Sequence, residues 1–331
     1  MRTRIVRAAA IGLVSSAGAL VIHDPAQAQA WPVKPVRLLV GYTPGGGVDT
    51  TARIVAQAVA EPWGSAMVVE NRPGAAGNIA TEITARAAPD GYTQVLCNIG
   101  SHGVTPARFA GKLTYDPIGD FAFPVLLGGV TNVLMVHPSM PVKTLPEYIA
   151  YARRHPGKIN FGSSGVGASP HMSIELLKVL TGIDIVHVPY KGASAALADV
   201  LSGHMESSVG NLAGGPLGAI RSGRVRALGV TSGARTPQLP DVPTFQEQGV
   251  ADFDVTGWYG LCTQAKVPAA IITRINTDVN RLLAPGQSLR ARLEEQAIDV
   301  NPTTPEAFAT LARNEIARWT KVVKQAKLVG D

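Results

Sequence analysis

VRLLVGYTPGGGVDTTARIVAQAV, residues 36–59, decides the fold class. Val36–Tyr42 is a largely apolar run of strand length, and the turn Thr43-Pro44-Gly45-Gly46-Gly47 leads from it straight into a helical pattern. Ile54, Val55, Ala58 and Val59 fall on one face of that helix, and Pro62-Trp63-Gly64 stops it before another strand, Met67–Glu70. Strand, glycine-rich turn, helix, strand is the repeating unit of α/β proteins whose parallel strands are joined by helical crossovers. The alternation continues with a helix over Asn78–Ala88, a turn at Pro89-Asp90-Gly91 and a strand over Tyr92–Asn98. Further strands read at Val133–Val136, Lys158–Gly162, Ile185–Val188, Met205–Val209, Arg226–Thr231 and Gly257–Thr263. Further helices read at Thr144–Arg154, Ser169–Thr181, Ala193–Leu201, Pro268–Leu283, Gln287–Gln296 and Pro305–Lys324.

The chain begins differently. Arg2, Arg4 and Arg7 precede a broken apolar run, Ala8–Ile22, and Ala28-Gln29-Ala30 supplies a small-x-small cleavage pattern. Residues 1–30 are therefore expected to be a secretory signal peptide cut after Ala30, which places the mature protein in the periplasm without insertion in the membrane. With 46% hydrophobic and 16% charged residues the remainder is expected to be globular. Candidate crossovers near 127–131 and 249–255 would give two lobes around a cleft, 31–129 with 254–331 and 130–253, although one continuous sheet fits the same order of elements.

The formal charge of +6 is mild, and the leader's three arginines and one aspartate account for part of it. No basic run is interleaved with aromatics, so nucleic-acid binding is not expected. Two cysteines, Cys97 and Cys262, exclude a disulfide framework; each sits in an apolar strand, where a buried free thiol is expected, though pairing stays open. No Cys/His spacing suggests a metal and no dinucleotide or phosphate-loop fingerprint suggests a cofactor.

Two turns have the chemistry of anion sites. At Thr43, Gly45, Gly46 and Gly47 the chain passes from a strand end into a helix, where unpaired N–H groups and the positive end of the helix dipole converge. Asp49 in that first turn either accepts backbone N–H groups or meets a ligand hydroxyl or amine. The second turn, Gly162 to His171, repeats the arrangement with Ser163, Ser164, Gly165 and Gly167; Ser169 reads as an N-cap and Pro170 as the first helical residue. Facing one another, the turns would hold both ends of a dicarboxylate. His171 lacks a nucleophile elbow and a local acid, so catalysis is not expected, and the other histidines look equally isolated. Ser101, after the Tyr92–Asn98 strand, is a further candidate contact.

Several stretches together resemble the substrate-binding proteins of tripartite tricarboxylate transporters, the Bug or TctC family. They are Pro44-Gly45-Gly46 with Asp49 and Ala52-Arg53, Glu70 to Asn78, Pro89 to Thr93, Tyr115-Asp116-Pro117, Pro156-Gly157-Lys158, Gly162 to His171, His187 to Gly192, Leu239 to Thr244 and Trp258-Tyr259-Gly260. The resemblance covers nearly the whole mature chain. It implies a two-lobed type II periplasmic-binding-protein fold, a carboxylate held at the two turns in part through bridging waters, and membrane transporter subunits as partners. A sensing partner in place of a transporter, or a hydrolase using Ser163 or Ser164 with His171, are the alternatives. Three departures stand out: Thr43 where the family usually has a proline, Val48 where it has a small polar residue, and Gly210-Asn211 where it commonly has Asp-Asn. The last favours a plain carboxylate over an amino acid. Asn211 stays a candidate ligand contact, and Asn71-Arg72-Pro73-Gly74 is expected to be a structural turn.

Overall fold

The structure, a computed structural model, describes residues 31–325; the expected leader lies outside the described residues. Strand β1 (Val36–Val40) is buried on both faces and pairs in parallel with β2 (Met67–Asn71) and β3 (Thr93–Asn98). Helix α1 (Gly47–Trp63) makes the crossover from β1 to β2 and ends at Gly64 in the left-handed conformation, where the Gly64 N–H bonds to Glu61 O. Helix α2 (Asn78–Ala85) returns the chain to β3. This half follows the sequence reading to within a few residues.

The centre does not. Strand β4 runs from Phe121 to Val136, sixteen residues of which the hydrophobic pattern marks only the last few. Its first part pairs antiparallel with β9 (Thr256–Gln264) and with β10 (Ile298–Val300). Its last part pairs antiparallel with β7 (Ser207–Asn211) and β8 (Arg226–Val230). One strand thus serves two sheets, β2-β1-β3-β9-β4-β10 and β8-β4-β7-β5-β6. Gly128-Gly129 and Pro124 break the apolar run in sequence, which is why the pattern hides the first part. Strands β5 (Asn160–Ser163) and β6 (Val186–Pro189) lie parallel to β7 and complete the second sheet.

Helices α4 (Leu145–Arg154), α5 (Ser169–Thr181), α6 (Ala193–Leu201) and α7 (Gly215–Arg221) serve the second sheet; the short α3 (Thr105–Arg108) follows β3. Thr144 caps α4 by accepting the Glu147 N–H at 3.3 Å. Helix α5 starts one residue earlier than its capping pattern implied, with Ala168 at the N-cap and Ser169 in its first turn. Helices α8 (Ala269–Leu282), α9 (Ser288–Glu295) and α10 (Pro305–Gln325) return to the first sheet, where Trp319 and Phe308 are wholly buried. Helix α7, α3 and β10 have no counterpart in the sequence reading, each being too short to show a period.

Cys97 and Cys262 form a disulfide, which corrects the expectation of buried free thiols. Strands β3 and β9, distant in sequence, are antiparallel neighbours; Cys262 sits opposite Val95 and Cys97 opposite Gly260, so the two sulfurs meet on a diagonal with Cα atoms 5.8 Å apart. The strand-like surroundings of each cysteine were legible, but which strand lay beside which was not.

Candidate functional site

The carboxyl ends of four strands converge. Tyr42 follows β1, Asn98 ends β3, Ser164 follows β5 and Asn211 ends β7; together with Val48, Ile99, Val130, Ala168, Ser169, Pro170 and Tyr259 they enclose a cavity of about 10 Å³. A space of that size admits one water. It opens beside a larger mouth of about 220 Å³ between Gly74–Ala76 on one wall and Ser164–Val166 with Pro189–Lys191 on the other. Ligands of open α/β sheets bind outside strand carboxyl ends, where the chain connections diverge.

No side chain around the inner cavity carries a charge. What it has instead is two helix entrances: Val48 lies in the first turn of α1, and Ser169 and Pro170 in the first turn of α5. Tyr42 donates its hydroxyl to Ala76 O at 2.8 Å, and Tyr259 donates to Asn211 Oδ1 at 2.9 Å. Burial pushes both phenols well above their ordinary pKa, so they stay neutral. Asn98 Oδ1 accepts the Gly100 N–H at 2.8 Å and the Ser101 N–H at 3.3 Å, which leaves its amide donor end for the cavity. Asn211 Nδ2 donates to Asn132 Oδ1 at 2.6 Å, and Ser169 Oγ donates to the same oxygen at 3.2 Å. The two phenols, Ser169 Oγ and Asn211 Nδ2 thus spend their protons within the protein, and the donors left for an anion are the Asn98 amide and the main-chain N–H groups of the two helix entrances.

Of the residues expected at the site, Ser164, Gly165, Ser169 and Asn211 line the cavity or its mouth. Thr43, Gly45, Gly46 and Gly47 lie at a seam where the first turn meets the second sheet. Thr43 N donates to Lys191 O at 3.2 Å, Ser194 Oγ donates to Pro44 O at 3.1 Å, and Gly46 bridges to Gly214. A Cβ at Gly47 would stand 3.0 Å from the Tyr259 hydroxyl and 3.1 Å from Ala213, so glycine there permits backbone to close on backbone. Asp49 is buried and engaged: it accepts from Gly45 N at 3.0 Å, from Asn71 Nδ2 at 2.9 Å and from Arg53. Burial would raise its carboxyl, but these bonds outweigh it and hold the group below the usual range. Ser101, Ser163, Gly167 and His171 form a layer behind the cavity wall, outside its lining.

Tyr42, Asn98, Ala75, Ala76 and Tyr259 line the site without having been expected there. The stretch Gly74-Ala75-Ala76-Gly77, read as a structural turn's continuation, carries three positive-φ residues in succession from Gly74 and a fourth at Gly77, an unusual backbone that sequence signals as small residues alone.

The sequence matches the profile of the tripartite tricarboxylate transporter family receptor over residues 51–328. The chain belongs to that receptor family. BugT of Bordetella pertussis is 31% identical over 318 residues, 96% of each chain. A Rhodopseudomonas palustris protein solved with adipate is 34% identical, with a TM-score of 0.85 over 90% of this chain and 98% of that one. MatC of the same organism, solved with bound malate, is 33% identical with a TM-score of 0.83 over 88% and 100%. The periplasmic binding protein BugD is 28% identical with a TM-score of 0.86 over 91% and 100%. The receptor therefore has the periplasmic-binding-protein fold. Among the described residues no helix is long and apolar enough to cross a membrane.

Two expectations about the receptor's residues change with the geometry in view. A Cβ at Gly210 would meet Pro216, Met135 and Ala193, so a side chain there points away from the cavity, and the Gly210 departure loses its bearing on the ligand. Val48 does line the cavity and makes one wall apolar. The histidines are not isolated either. Ser163 Oγ lies 2.7 Å from His187 Nε2, and the His171 and His187 rings stack with centroids 4.0 Å apart. Ser163 is wholly buried, which withholds its hydroxyl from a substrate carbonyl in the cavity. Cys97, His102 and Cys262 bring three ligand atoms within 4.8 Å of one another, but the two sulfurs are spent on each other.

Proposed function

We propose that the receptor captures a small organic anion, a mono-, di- or tricarboxylate, with one carboxylate end directed to the inner cavity and the rest of the acid in the larger mouth beside it, and delivers it to the membrane subunits of a tripartite tricarboxylate transporter. It acts in the periplasm after export, as a binder and not as an enzyme. The observation that carries the reading is a cavity without charged side chains set against the entrances of α1 and α5. Hydrogen bonds from neutral donors to a charged acceptor contribute about 1.5–3 kcal/mol each, so a few suffice for micromolar affinity. The adipate and malate on the solved relatives support the ligand class.

In this reading residues 31–129 with 254–331 form one lobe and 130–253 the other, joined within β4 and ahead of β9. Opening separates the seam at Thr43–Lys191, Pro44–Ser194 and Gly46–Gly214 and leaves each lobe its own sheet. Thr43, Gly45, Gly46 and Gly47 then act as the closing surface, while Ser164, Gly165, Ser169 and Asn211 meet the ligand. Asp49 presets the first turn, and Ser101 does the same for Asn98.

A thermal-shift screen of malate, adipate, succinate and citrate tests this directly. A ligand at 100 times its dissociation constant stabilises by about 2.7 kcal/mol, a shift of a few degrees. Ser164→Asp puts a carboxylate into the lining and is expected to weaken the best ligand by about tenfold or more beyond the effect of Ser164→Ala, which removes the hydroxyl alone. Equal affinity in the Asp and Ala proteins, both folded, would remove the anion from this cavity.

A further inference from the structure

Behind the second turn lies a pair of stacked rings, His171 buried and His187 half-buried, for which ligand capture has so far given no use. The Gly167 N–H donates to His171 Nδ1 at 3.1 Å. The Gly165 N–H donates to Ser163 Oγ at 3.2 Å, and that hydroxyl, with one lone pair taken, has His187 Nε2 as its nearest acceptor at 2.7 Å. Two glycine amides of the second turn, Gly165 at the mouth of the cavity and Gly167 behind it, are thus anchored on imidazole nitrogens, one through a serine and one directly. His171 comes from α5 and His187 from β6. The stack is continued by Phe161 of β5, whose ring centroid is 4.9 Å from that of His187. Each anchor is therefore held by a different element of the second sheet.

We infer that His171 and His187 are positioning residues for the ligand: they hold the Gly165 and Gly167 amides inward and so set the face that Ser164, Gly165 and Val166 present to the anion. This rests on the cavity being the carboxylate site. The segment needs such a device because Gly165 and Gly167 have φ of 129° and 87° and lack the side chains that would fix them by packing. Both anchors work by accepting a hydrogen bond, which requires neutral rings. Burial, followed by the charges of neighbouring groups, lowers His171 to about 2 and His187 to about 4. Arg108 and Lys178 face the pair with positive charge. Glu175 Oε1 stands 3.7 Å from His171 Nε2 but is shared with Lys178 Nζ at 3.1 Å, so it does not restore the charged form.

The test uses four variants of the full chain and measures malate and adipate affinity by calorimetry beside thermal stability without ligand. His171→Phe and His187→Phe keep a stacked ring and remove the acceptor. His171→Asn places a carbonyl near Nδ1, and His187→Gln places one near Nε2. An anchored donor set free costs about 1–3 kcal/mol, so the Phe variants are expected to bind about tenfold weaker or worse, with His171→Asn and His187→Gln recovering most of the loss. Phe variants that bind like the natural protein overturn the inference, as does loss of affinity without recovery in the amide variants. If the Phe variants do not fold, imidazole nitrogen spectra of the natural protein decide: both rings are expected to shift on ligand addition, and unchanged signals overturn the inference. Failure of the natural protein to bind any of these acids, in contrast, ends the carboxylate reading itself and the inference with it.

Discussion

Replacing Cys97 and Cys262 together by alanine is expected to lower the unfolding free energy by about 2–5 kcal/mol. The disulfide closes a separation of 165 residues, and in the chain-entropy account a loop of that size restricts the denatured chain by about 5 kcal/mol. Both cysteines are wholly buried, so the alanines also leave a small void among packed neighbours. The effect reaches the site. Asn98 follows Cys97 in β3, and its register partner in β9 is Tyr259, so the bond pins the relative position of two cavity-lining residues. Urea denaturation of the natural and double-alanine proteins measures the loss. Coincident midpoints would show that strand pairing alone supplies the restraint.

Acidification from pH 7 to pH 4.5 is expected to remove most of the stability through three histidines. His102, His171 and His187 have pKa values lowered by burial to about 3, about 2 and about 4. Each is neutral in the folded chain, while in the unfolded chain it titrates near its ordinary value of about 6.5. Below that value the unfolded state binds more protons, so stability is full above pH 6.5 and falls as the pH drops. The three losses run together down to about pH 4, where His187 protonates in the folded state too. Each group costs up to about 1.4 kcal/mol per pH unit in that window, which is large against a typical total of about 5–15 kcal/mol. Glu315, raised by burial, opposes this as a single group. Urea titrations at a series of pH values measure the slope, and His187→Gln is expected to reduce it by about one proton. A flat profile between pH 7 and pH 4.5 would mean these rings are not held neutral.

What could be read from the residues had a physical limit. Helices α5 and α6 span the ranges read for them, because Pro170 and the glycines before each helix mark the start and the apolar period sets the length, although the cap of α5 is Ala168 and not Ser169. The two glycine-bearing turns were visible for the same reason: each stands between the end of a strand and the start of a helix. Strand β4 was cut short because its glycines interrupt the pattern where two sheets share it. The pairing of β3 with β9, and with it the disulfide, depends on contacts across about half the chain that no local pattern encodes. Tyr42 stands in the sequence only as the end of a strand and Tyr259 only as a position within one, and only the meeting of the sheets brings the two side chains to one cavity. Ser163 and His171, expected at the ligand because they stand in the motif, are not among the residues that line the cavity or its mouth; Ser163 Oγ meets His187 and His171 Nδ1 accepts the Gly167 N–H.

A crystal structure of the receptor with adipate or malate would locate the ligand outright. One carboxylate of the acid is expected beside Tyr42, Asn98, Ser164, Ser169, Asn211 and Tyr259, accepting main-chain N–H groups at the first turns of α1 and α5, with the rest of the acid in the adjoining mouth beside Gly74–Ala76. An acid bound elsewhere, for example in the groove lined by Arg235, Thr236 and Asp254, with the inner cavity unchanged, would refute the site.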